Sequence, residues 1–240
     1  MKDFRQQKRT TGFTLMETLL AVALIGVLVS VFITVFVPAR GMLQKALSKQ
    51  DADRLVSILR AELNTLHPSE RSESDSSGVF GKGFRWMTAS RNPSTSIVIF
   101  SYYADFTRGR REDDTYPAVS ARSAAGGKNT QLVTIACPMN STIHQDDIRH
   151  AVGPVYLVKL THLEKEDDAY YRLATTPGTI SGSDTPENYY STDKDDPWGA
   201  VVFCRADFYI MSKPNPARYK GRTWSRVGRP VFSTNISFRR

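Results

Sequence analysis

Residues 12–37 read GFTLMETLLAVALIGVLVSVFITVFV, and the stretch from Phe13 to Val37 carries a single charge, Glu17. A helix of this length would extend about 37 Å at 1.5 Å per residue, enough to cross a hydrocarbon core of roughly 30 Å with some tilt. Ahead of it lies a short basic segment, Lys2, Arg5, Lys8 and Arg9 against one acid, Asp3. A secretory signal would be cut after its apolar region at a small-residue site. No such site follows here before the helix has ended. The small-residue break that fits processing is Gly12, in front of the apolar run, so cutting there would discard the basic leader and keep the hydrophobic helix.

Gly12, then Phe13-Thr14-Leu15, then Glu17 four residues beyond Phe13, resembles the N-terminal motif of the type IV pilin superfamily, which includes the pseudopilins of type II secretion. The resemblance covers roughly residues 8–40. It implies cleavage between Gly12 and Phe13 by a membrane-embedded prepilin peptidase, followed by N-methylation of Phe13. It also implies a register role for Glu17, whose carboxylate would pair with the Phe13 amine of an adjacent subunit. An acid well inside a spanning helix costs about 2.5–3.5 kcal/mol on insertion scales, so such a group needs a partner or a place close to the interface. The alternatives are a plain signal anchor and a proton relay; the relay lacks a second intramembrane ionisable group.

The chain has 240 residues, 40% hydrophobic and 23% charged, which describes a folded globular protein and excludes a disordered one. The expected organisation is a leader at 1–12, a transmembrane or filament-core helix at 13–37, an amphipathic continuation at 38–67, a linker at 68–82 and a β-rich domain at 83–240. The continuation rests on Leu43, Leu47, Leu55, Leu59 and Leu63, spaced by four or eight, with Lys45, Lys49, Arg54 and Arg60 outside. Pro68 and the polar run behind it would end the helix. Pro38 predicts a kink, because it removes an N–H bond and crowds the carbonyl of Thr34. Strand-like runs follow at Ser96–Tyr103, Leu132–Cys137, Val155–Leu163, Tyr170–Ala174, Gly199–Met211 and Val231–Phe238. The reading is α+β: a pilin-like long N-terminal helix packed on an antiparallel sheet.

The formal charge of +8 includes the basic leader. By the positive-inside rule that leader stays cytoplasmic, giving a single-pass inner-membrane protein with its C-terminal domain in the periplasm or an extracellular filament. In that oxidising compartment Cys137 and Cys204 are either a disulfide or two small buried hydrophobes, with the even count favouring the bridge. Asp196-Pro197-Trp198-Gly199 resembles a turn of major pseudopilins. Asp184, Glu187, Asp193, Asp195 and Asp196 read as a solvated acidic loop, with calcium binding as the weaker alternative. Residues 213–240 hold eight basic side chains and no acid, among them Arg218, Lys220, Arg222 and Arg226 around Trp224. This tail is expected to contact partner subunits; the less favoured alternative is a competence or adhesive minor pilin whose tail binds nucleic acid or a surface.

No H-e-x-x-h, G-x-s-x-g or phosphate-binding loop is present, and His67, His144, His150 and His162 lack ligand spacing, so no enzyme, cofactor or metal site is expected. The expected partners are other pilin or pseudopilin subunits, the prepilin peptidase and an inner-membrane assembly platform with a separate cytoplasmic ATPase. The size of the domain points to a minor subunit.

Overall fold

A computed structural model describes residues 14–67, 70, 78–126, 129–167, 170–180, 201–211 and 215–239. The fold is α+β. Helix α1 (Leu15–Leu63) and helix α2 (Gly78–Ala89) come first. Then follow β1 (Ile97–Asp105), β2 (Ala118–Val119), a short α3 (Ala121–Ala124), β3 (Thr130–Pro138), a short α4 (Gln145–Arg149) and β4 (Val155–Asp167). The chain closes with β5 (Tyr170–Leu173), β6 (Val201–Met211) and β7 (Phe232–Arg239). The chain divides into two compact units, residues 1–51 and 52–240.

In the second unit all strand pairs are antiparallel, and the main path runs β3-β1-β4-β6-β7, with β2 beside the end of β1 and β5 beside the end of β4. Alternation along each strand sends side chains to opposite faces. Ile97, Ile99, Ala136, Val158, Leu160, Cys204, Phe208 and Phe238 share one face with Leu55, Leu59 and Leu63 of α1 and Phe80, Phe84 and Met87 of α2. Val98, Phe100, Tyr102, Cys137, Leu157, Tyr209 and Met211 form a second core on the other face, covered by Ile148 of α4 and by Tyr219. Both faces being buried explains why Ile97-Val98-Ile99-Phe100 is apolar without alternation.

Three boundaries differ from the sequence reading. Backbone helix continues through Pro38 in α1, as the expected continuation requires, but ends at Leu63, ahead of the expected His67. The expected linker at 68–82 overlaps α2, whose residues 80–84 are buried. Glycines at 81 and 83 lower helix propensity and disguise it. Gly83 is there for packing: a Cβ would lie 2.6 Å from the Phe238 ring, so only glycine lets α2 sit this close to β7. The compact unit therefore begins within α1, and the domain is not confined to 83–240.

A further difference concerns the cysteines. Cys137 and Cys204 are both buried and both free. They lie on β3 and β6, three strand spacings apart, or about 14 Å at the least, and on opposite faces of the sheet. A disulfide needs Cα atoms within about 7 Å. Each cysteine is thus a small core residue, and burial pushes both thiols up from their ordinary value.

Candidate functional site

The first turn of α1 is built by Thr14 and Glu17. Glu17 N–H donates to the Thr14 carbonyl at 3.0 Å and to Thr14 Oγ1 at 3.3 Å, which satisfies a donor that the helix start leaves open. Thr14-Leu15-Met16-Glu17 has the spacing of a capping box, a signal that sequence reading passed over. Glu17 lies in the first turn, where the helix dipole favours an anion.

Beyond that turn, Leu15–Thr34 forms a 20-residue run with mean hydropathy 2.4 and no side chain buried in the protein. Leu15 is 80% exposed and Ile33 still 54%, so the helix is apolar on every side and offers no polar face to water. Its hydroxyls are spent on its own backbone. Thr18 Oγ1 donates to Leu15 O at 2.8 Å, Ser30 Oγ to Gly26 O at 2.9 Å and Thr34 Oγ1 to Ser30 O at 2.7 Å. Such back-bonding leaves no hydroxyl needing water in an apolar surrounding. One helix among the described residues therefore has the length and composition to cross a membrane. Among the described residues, no cation or side-chain donor reaches the Glu17 carboxylate. Gly12 and Phe13 lie outside the described residues.

The basic tail is split by the fold. Arg218, Lys220 and Arg226 are exposed, and Arg222 is half-buried, its Cζ 5.9 Å from the centre of the Tyr219 ring. Trp224 is turned to structural use. Its Nε1 donates to Ser90 O at 2.8 Å, and its ring packs 5.2 Å from that of Tyr209 with Lys159 Nζ at 5.9 Å. A half-buried indole held on three sides is not a free base-stacking platform, which counts against the less favoured nucleic-acid alternative for Trp224. The acidic residues Asp184, Glu187, Asp193, Asp195 and Asp196, with the Asp196–Gly199 turn, lie outside the described residues.

Two buried polar networks escaped sequence reading, because their members are far apart in the chain. Lys82, with no exposed surface, bonds Glu62 at 2.7 Å, Glu70 at 2.9 Å and the Thr65 carbonyl at 2.7 Å, and its Nζ lies 4.9 Å from the Trp86 ring centre. It ties the end of α1 and the turn after it to α2. In the other network His144 sits between two carboxylates, Nε2 to Asp113 at 2.7 Å and Nδ1 to Asp147 at 3.0 Å. Asp147 also takes Arg111 and the Ala118 N–H, the latter at 2.9 Å. Burial disfavours the imidazolium, yet the two aspartates outweigh it and raise the His144 pKa. Burial likewise opposes the charge on Asp113 and Asp147, but bonds from His144, Thr115, Arg111 and Ala118 hold both below their ordinary values. The arrangement closes the loop 106–118 onto α4. It holds charge in place. Among the described residues no group of three or more His, Cys, Asp or Glu could hold a metal ion.

Compared with known proteins, the chain matches no family model, no curated protein and no solved structure.

Proposed function

We propose that the chain is a prepilin-type subunit, a minor one, of a type IV pilus or type II secretion pseudopilus. The observation that carries this reading is the helix Leu15–Thr34, exposed and apolar all round, with one acid in its first turn that has no partner among the described residues, following Gly12-Phe13 in the sequence. Such a helix serves two solvents in turn. It resides in lipid as a precursor anchored in the inner membrane, and then packs among like helices in a filament core, pulled there by an assembly platform with its own ATPase. In lipid, Glu17 stays near the interface and its cost is low. In the filament, the amine of a neighbouring Phe13 meets it, so two costly charges cancel only at one axial offset. The antiparallel sheet packed on α2 and the C-terminal part of α1 supports a pilin-like architecture for the domain on the periplasmic side.

Mass spectrometry of membrane fractions from cells with an active prepilin peptidase tests this. The expected mature N-terminus is N-methylated Phe13, and Gly12→Val leaves the precursor uncut. An intact N-terminus in wild-type chain sinks the proposal. Glu17→Val is expected to be processed normally and to fail in filament incorporation, because the partner amine is left unpaired in an apolar core; unchanged incorporation removes the register role.

A further inference from the structure

Apart from the apolar helix, the folded unit carries a surface cavity of about 770 Å³ walled by three segments far apart in sequence: residues 94–95, the stretch 139–149, and Asn215, Ala217 and Lys220 of the basic tail. Among the described residues its lining includes two cations, Arg149 and Lys220, and no carboxylate. Asn140, Gln145 and Asn215 stand around them, and the buried Met139 closes the floor. Among the described residues no hydrogen bond or ion pair engages the side chains of Asn140, Gln145 or Lys220. Arg149 reaches Asp146 only at 3.4 Å, with both side chains more than 70% exposed, a contact that gives way readily to a better anion.

We propose that this cavity is a binding site for a short carbohydrate carrying carboxylate or phosphate groups. The size suits a compact ligand of a few rings. Arg149 and Lys220 match the anionic group, and the amides, which donate and accept together, match ring hydroxyls. Nucleic acid fits less well. A duplex is held by a line of many phosphate contacts, and single strands need free aromatic faces, whereas Tyr219 is buried and the Trp224 ring is packed against Tyr209. The site is independent of the processing and filament reading, so either can fail without the other.

The test is calorimetry on the full chain in detergent micelles with trigalacturonate, glucose 6-phosphate, neutral maltotriose and a short DNA duplex. One or both acidic sugars are expected to bind more tightly than maltotriose, less so at high salt. Arg149→Ala and Lys220→Ala are each expected to weaken binding about tenfold, the loss of one charge-assisted hydrogen bond. Arg226→Ala, an exposed tail cation outside the cavity, is expected to change nothing. Near-ultraviolet circular dichroism confirms that the variants keep the wild-type fold. Binding of neither acidic sugar, equal affinity in the cavity variants, or displacement of the sugar by DNA overturns the proposal.

Discussion

Lys82 shows at the residue scale how this chain places charge in its interior. A fully buried ammonium is tolerable only with its donors used, and Glu62, Glu70 and the Thr65 carbonyl use all three. His67 adds a fifth member, its Nε2 at 2.8 Å from Glu62. Lys82→Ala is expected to destabilise the domain by about 3 kcal/mol, the low end for breaking a buried pair because both glutamates keep some access to water. Urea unfolding in micelles, followed by tryptophan fluorescence, measures it. Lys82→Met combined with Glu62→Gln and Glu70→Gln is expected to recover part of the loss, since it removes the charges together; no recovery would show that the network also fixes the path of the turn after α1.

At the scale of elements, strand identity was legible and strand partnership was not. Runs of β-branched and aromatic residues marked β1, β3, β4, β5, β6 and β7 to within a few residues, because that chemistry suits a pleated surface wherever it pairs. The two-residue β2 and the four-residue α3 fell between the strand-like runs Ser96–Tyr103 and Leu132–Cys137, being too short to show a period. Helix α2 was masked by its glycines, although Phe80, Phe84 and Met87 sit at helical spacing. Register then decides the cysteines. Cys137 pairs across from Val98 and Cys204 across from His162, in positions that face opposite layers. A thiol reagent added to the unfolded, unreduced chain is therefore expected to titrate both cysteines; finding neither would mean that the strand order or register is wrong.

For the whole molecule, the His144 network makes stability depend on pH with a definite sign. The folded-state pKa of His144 is raised above its ordinary 6.5, so its contribution is complete below about pH 6.5 and is lost as pH rises through the raised value. Asp113 and Asp147 are lowered from 3.8, so theirs is complete above that value and fades as pH falls further. His162, lowered by burial, works against His144 by favouring the neutral ring. Comparing wild type with His144→Gln isolates the network. The stability difference is expected to be largest between about pH 4 and 6.5 and to shrink on the alkaline side. A difference that grows above pH 7 would show that His144 is held neutral.

What the sequence by itself determined is whatever depends on neighbours in the chain: an apolar run of spanning length, its lone acid, the amphipathic stripe after it, and the β-branched and aromatic runs that mark strands. The candidate membrane helix and the α+β class belong here, since local composition and period suffice for both. The tertiary structure alone decided which distant residues meet. It set Lys82 against Glu62 and Glu70, His144 between Asp113 and Asp147, Trp224 onto Ser90 and Tyr209, and the two cysteines on opposite faces. It also brought Arg149 to Lys220 at one cavity. Such meetings follow from strand order and register, and a one-residue slip in register reverses every face, so no local pattern in the chain specifies them.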